Sequence, residues 1–246
     1  MKNRLLLLWA AAALVQAQPA APPTPRAGAA IDLTGYWVSL VTEDWRFRMV
    51  TPQKGDYASV PLNAEARKVA DAWDPAKDEA AGNHCKSYGA AAIMRVPGRV
   101  QITWDNDTTL KIETDAGTQT RLLHFGNAPA PTGDGGWQGY SAASWEYAGG
   151  AGGRGRGAAP PRGGSLKVVT THMRPGYLRK NGVPYSDRAT MTEYFDRVTE
   201  PDGITYLIVK NILEDPVYIN GQFLTSTHFK LEPNGSKWSP SACTSR

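Results

Sequence analysis

The chain has 246 residues and carries 27 Lys and Arg against 23 Asp and Glu, a formal net charge of +4. Two of the positive charges, Lys2 and Arg4, belong to a leader-like start, so the remainder carries only +2, too little for the basic face that nucleic-acid binding requires. With 41% hydrophobic residues the chain can bury a full core, and no apolar stretch reaches the roughly 20 residues of a membrane-spanning helix.

In chain order, Lys2 and Arg4 precede an apolar run over 5–15, and Val15, Gln16 and Ala17 form a small-x-small stop. This is the pattern of a secretory signal peptide over 1–17, and it predicts a periplasmic or secreted protein. Residues 18–30, QPAAPPTPRAGAA, lack an apolar period and read as a disordered linker. Folding is expected from Ile31, with 31–246 as one domain. Asn63 is a good N-cap, followed by Ala66, Val69, Ala70 and Trp73 at helical spacing. Asp74 and Pro75 then open a second short helix that Gly82 ends, which gives a helical excursion over about 63–82. The two cysteines, Cys85 and Cys243, are expected to pair as a disulfide in an oxidising compartment, the alternative being two free thiols. A metal at His84 and Cys85 lacks a second ligand pair nearby.

From residue 100 onward the pattern is period two. It runs through Ile102 and Trp104, Leu110 and Ile112, Leu122 and His124, and the set Leu166, Val168, Thr170 and His172. It continues in Met191, Glu193 and Phe195, in Leu207, Val209, Asn211 and Leu213, and in Thr225, Thr227, Phe229 and Leu231. Such alternation predicts an all-β fold, a single antiparallel β-barrel with an interior cavity, because closure removes exposed sheet edges. Two stretches, 127–136 (NAPAPTGDGG) and 148–164 (AGGAGGRGRGAAPPRGG), offer little to bury and are expected to be disordered loops.

Residues 137–218 repeatedly set aromatic rings beside Arg, His, Glu or Asp, which suits the grip of a small molecule. Strand parity assigns faces. With Lys167 outward, Leu166, Val168, Thr170 and His172 point in; by the same test Arg121 faces out, His124 in, and His228 out. Glu193 shares the apolar face of Met191 and Phe195, so it requires a cation, a donor or a task; its structural reading is an ion pair with an arginine such as Arg95 or Arg179. His172 has the plain alternative of a strand-end histidine bonded to backbone. The segment 176–184 reads as a shaped loop at the barrel mouth with Tyr177 and Arg179 as a lid. Tyr140, Tyr177, Trp104, Trp137, His124 and Asn211 are the candidate ligand contacts; Trp104, Trp137 and Trp145 can equally be core or rim aromatics.

The tract Asp32, Leu33, Thr34, Gly35, Tyr36, Trp37 resembles the Gly-x-Trp opening of lipocalin-like barrels, in which the Trp closes one barrel end. More widely, the chain resembles a group of uncharacterised exported all-β proteins of soil bacteria. The likeness rests on GDY at 55–57 with PLN at 61–63, AWD at 72–74, WQGYS at 137–141 with Trp145, RKNGVP at 179–184 with Ser186 and Asp187, TE at 192–193 and DPVY at 215–218. It implies export and an all-β fold, carries no established activity, and makes the Gly/Arg-rich stretch at 148–164 look like an insertion.

Two functional readings follow. The first is an enzyme of lyase or isomerase type, without an organic cofactor, in which Glu193 and His172 act as acid and base on a small ring-bearing molecule and Arg179 steadies negative charge. The second is a non-catalytic, lipocalin-like small-molecule binding protein. A metal shared by His124, His172 and His228 is a third option, although parity points His228 away. Gly-x-Ser-x-Gly, a phosphate loop and His-Glu-x-x-His are absent from the sequence, and no dinucleotide fingerprint opens a helical pattern in it. The expected partner is a small molecule, with no nucleic acid, cofactor or metal.

Overall fold

The alternating segments become eleven strands in a computed structural model that describes residues 22–126, 128–149 and 163–246. The leader at 1–17, linker residues 18–21, Asn127 and positions 150–162 lie outside the described residues. The strands are β1 (Gly35–Leu40), β2 (Arg99–Asn106), β3 (Thr109–Thr114), β4 (Thr120–Phe125), β5 (Tyr140–Tyr147) and β6 (Gly164–Thr171). They continue with β7 (Gly176–Arg179), β8 (Val183–Tyr185), β9 (Thr190–Thr199), β10 (Thr205–Glu214) and β11 (Gln222–Glu232). All but β7 and β8 close into one barrel in the order β1, β11, β10, β9, β6, β5, β4, β3, β2.

The barrel is antiparallel with one exception, the parallel pair β4–β5. Nine strands force it, because a ring of alternating directions closes only with an even number. The fourteen residues at 126–139 supply the crossover that a parallel pair needs. The Gly- and Pro-rich tract expected to be a disordered loop is therefore the return path that sets the barrel's topology.

The interior is filled rather than hollow. Trp37 is fully buried and its Nε1 donates to the Leu33 carbonyl (3.0 Å), while Ile102, Leu110, Ile112, Leu123, Leu166 and Phe195 pack around it. A barrel close to eight strands has an interior just wide enough for side chains. The expected interior cavity is thus taken up by core.

One barrel end is capped by helices. These are α1 (Trp45–Arg48), α2 (Ala64–Asp71), α3 (Pro75–Ala80) and α4 (Ala90–Ile93), with a 3-10 turn at Lys86–Tyr88. Asn63 Oδ1 accepts from Ala66 N (2.9 Å) and Asp74 Oδ1 from Ala76 N (3.0 Å), the two caps expected from the sequence. α2 buries Ala66 and Ala70 in a second core with Leu178, Val183, Tyr185, Met191, Leu213 and Phe223. The β7–β8 hairpin belongs to this core, so 176–184 is not a loop over an open mouth: Val183 and Tyr185 are fully buried. Its turn needs Gly182 (φ +82°), where any Cβ would collide with Trp73.

The opposite end holds Trp104, Phe125 and Trp145 in mutual contact. Residues 22–30, the described part of the segment read as a linker, lie against it. Trp145 Nε1 donates to the Pro25 carbonyl (2.8 Å) and the Tyr147 hydroxyl to the Gly28 carbonyl (2.9 Å). Cys85 and Cys243 are bonded, with Cα atoms 5.1 Å apart, and pin the C-terminal tail to the capped end. Among the described residues no helix is long and apolar enough to cross a membrane.

Candidate functional site

Glu193 lies where parity put it, on the inward face of β9 between Met191 and Phe195, and is fully buried. Its partner is neither Arg95 nor Arg179 but Arg121. The β4 reading was inverted: Arg121, Leu123 and Phe125 point in, and Leu122 and His124 point out. Arg121 Nη1 donates to Glu193 Oε1 (3.1 Å) and Nη2 to Glu193 Oε2, while Nε donates to Ser141 Oγ (3.1 Å) and Nη2 also to Thr170 Oγ1 (2.7 Å). One side chain on β4 thereby reaches β5, β6 and β9. Each guanidinium nitrogen has an acceptor, which is the condition under which a buried ion pair offsets its desolvation.

His172 does not line an interior space. β6 ends at Thr171, and His172 turns out of the strand at φ +56°, leaving the inward direction to the fully buried Met173. Its Nδ1 meets Thr171 Oγ1 (2.8 Å) and its carbonyl accepts from Gly135 N (2.6 Å), so it is a strand-end histidine whose ring bonds a side-chain hydroxyl rather than backbone. Glu193, His172 and Arg179 therefore have separate surroundings, and the structure does not bring the three together.

The candidate ligand contacts are also dispersed. His124 stacks on Tyr140 (ring centroids 5.4 Å apart), Trp104 belongs to the aromatic end, and Arg174 sits over the Trp137 ring (5.1 Å). Asn211 Nδ2 lies 2.8 Å from Met191 Sδ. The Tyr177 hydroxyl donates to Asp78 Oδ2 (2.8 Å), and burial together with that bond pushes its phenol up. His228 faces Thr42 and Ser226, and among the described residues no three His, Cys, Asp or Glu converge as a metal-ligand set.

Chemistry gathers instead at the capped end, in a cleft of about 430 Å³ outside the barrel wall, lined in part by Arg48, Arg95, Arg179, Tyr88 and Lys180. The three arginines are each more than nine-tenths buried. Arg48, at the end of α1, pairs through Nη1 with Glu43 and donates from Nε to the Arg95 carbonyl (2.9 Å). Arg95 follows α4 and donates from Nη2 to Asp44 Oδ2 (2.8 Å), a residue that turns the chain into α1 at φ +49°. Arg179, ending β7, donates from Nη1 to the Ala58 carbonyl (2.7 Å) and lies 3.9 Å above the Phe47 ring.

These contacts leave donors over. Arg48 Nη2, Arg95 Nη1, Arg179 Nε and Arg179 Nη2 are buried without an acceptor. Buried donors are nearly always paired, and an unpaired cationic one is costly. Burial and the nearby Arg95 charge hold the Arg179 guanidinium down at about 10, and burial lowers Arg48 although Glu43 opposes it. At the other side of the cleft, Lys180 Nζ donates to the Tyr88 hydroxyl (2.6 Å). Burial raises the Tyr88 phenol, but the Lys180 and Thr244 hydrogen bonds outweigh it and the net direction is down. The arrangement can hold an anion and polarise a phenol beside it.

No family model, curated protein or solved structure matches the chain. The site is therefore read from its own atoms. Of its residues, sequence reasoning singled out only Arg179 as a functional group, and it missed Arg48, Lys180, Tyr88 and the Arg121 pairing. A signal for the last was present: Arg121 shares its face with Leu123 and Phe125, and Glu193 shares its face with Met191 and Phe195, two opposite charges each on an apolar strand face.

Proposed function

We propose that this is a small-molecule binding protein that takes an anionic ligand in the arginine cleft, without chemistry at Glu193 or His172. The observation that carries the reading is the set of four buried guanidinium nitrogens without acceptors on three arginines that line one cleft, where ion pairs among the described residues are made with the carboxylates of Glu43 and Asp44. Charge-assisted, bidentate contacts are the strong hydrogen bonds of arginine, and a ligand anion would satisfy them. Glu193 is already fully engaged by Arg121 inside the barrel and needs no ligand. Export fits both the leader-like start and the Cys85–Cys243 bond.

Isothermal titration of the purified chain with acetate and with inorganic phosphate tests this. Saturable binding of either, lost in Arg179→Gln and Arg95→Gln with the fold retained, is expected; no anion binding, or binding unchanged in both variants, would overturn it. A second reading, acid–base chemistry in the same cleft, is favoured by the Tyr88 phenol, whose proton is loosened by Lys180. Chemical change of a bound ligand on incubation, abolished in Tyr88→Phe, distinguishes it.

A further inference from the structure

We infer that the ligand of this cleft is a monocarboxylate with an apolar body, an inference that rests on the anion-binding reading and narrows its chemistry. Charge comes first. Arg48, Arg95 and Arg179 face Glu43 and Asp44, so one positive charge is left over. Lys180 is a further cation whose hydrogen bonds to Tyr88 OH (2.6 Å) and Thr244 Oγ1 (3.1 Å) leave its charge in place, but it is half-exposed and screened by water, so the unbalanced charge among the buried groups stays at one. Arg46 is matched by Asp56. A single negative charge balances the cluster, whereas a phosphate dianion or a dicarboxylate would leave a buried charge unpaired.

Shape comes second. Both donors left free on Arg179 are Nε and Nη2. These two lie on one edge of the planar guanidinium, with parallel N–H bonds spaced for the two oxygens of a carboxylate; both are closed to solvent here, so binding requires the side chain or its cover to shift. Arg95 Nη1 and Arg48 Nη2 are the further free donors on the cleft's arginines.

The body of the ligand is set by the remaining wall. Ala92, Val96, Pro97 and Leu178 line the same cleft as the arginines. Its rim carries Met49 (60% exposed) and Val50 (66% exposed), side chains that gain nothing from water. Exposed apolar groups beside a concave site mark a surface that an apolar partner covers. A hydrocarbon chain or a ring anchored by its carboxylate on Arg179 would lie along Val96 and Leu178 and shelter Met49 and Val50.

The test is a titration series on the full purified chain at constant ionic strength: acetate, butyrate, hexanoate, octanoate and 3-phenylpropionate, against succinate, inorganic phosphate and neutral 1-hexanol. Affinity is expected to rise about two- to fourfold per added methylene until the cleft is filled. Octanoate or phenylpropionate should exceed succinate, phosphate and hexanol by about tenfold or more. The double variant Met49→Ser/Val50→Ser, altered only at exposed positions, should lower octanoate affinity about three- to tenfold, more than it lowers acetate affinity. A preference for phosphate or succinate, or flat affinity along the chain series, would overturn this inference while the anion site stands. Absence of binding by every anion would remove both, as would hexanol binding equal to octanoate with Arg179→Gln unaffected.

Discussion

Arg121 and the cleft arginines are equally deep in the same protein, yet they are opposite cases. Arg121 has an acceptor for every nitrogen and a dedicated carboxylate, all supplied by barrel strands whose positions are fixed by backbone pairing. Arg48, Arg95 and Arg179 come from a short helix, a post-helix turn and a hairpin, and together leave four nitrogens unmet. A completed network is architecture, and an incomplete one is an opening for something outside the chain. Burial alone would have ranked Glu193 as the functional acid, whereas both of its oxygens are taken by Arg121.

The largest effect should come from breaking the completed set. Glu193→Gln leaves the Arg121 charge buried without its counterion and is expected to cost about 3–5 kcal/mol in urea denaturation, with cleft binding intact in the folded fraction. A small loss there would mean that the pair is not what holds this layer. Next, replacing both Cys85 and Cys243 by Ser should cost about 2–4 kcal/mol. It should also weaken cleft binding, because Ser241, Ala242 and Thr244 of the pinned tail form part of the cleft wall.

Arg179→Gln should show the reverse pattern: stability within about 1 kcal/mol of the parent, and anion affinity lowered about tenfold or more, measured by calorimetry. The pH dependence follows from its depression to about 10, below the ordinary arginine range. Between the two the folded state binds fewer protons than the unfolded state, so the stability contribution of Arg179 rises with pH across the window and is least favourable below it. Anion affinity moves the other way and falls as pH rises through about 10, because the neutral side chain no longer holds the ligand. An affinity flat from pH 8 to 11 would exclude Arg179 as the anchor. The smallest effect is a control that touches neither set. Asn63→Ala removes the α2 cap and its bond to the Val217 carbonyl (2.7 Å), for about 1 kcal/mol, without change in binding.

The strands and the two capped helices were legible in the sequence because period-two alternation and cap residues act locally. The disulfide was legible from there being two cysteines. Parity failed at β4, where the charge on Arg121 argued for solvent although Leu123 and Phe125 on the same face argued for the core; a partner on another strand overrode the local rule. It failed at His172 because alternation carries no mark of where a strand stops. The cleft was not legible at all. Its wall is assembled from 47–51, 87–97, 178–180 and 241–244, segments whose proximity depends on the cap and on the tail, and no periodicity along the chain records it.

The odd strand count has a further consequence for how two copies of this chain could meet. β4 and β5 share three paired positions where β5 and β6 share eight, so the barrel wall has one short join and a long Gly- and Pro-rich crossover beside it. If the wall parts there, the β1–β11 pairing still holds β1–β4 to β5–β11, so the barrel opens into one continuous sheet with two free edges, β4 and β5. Opening also takes Arg121 away from Ser141, Thr170 and Glu193, so the side chain that bridges the short join is what keeps those edges from being offered to a second copy.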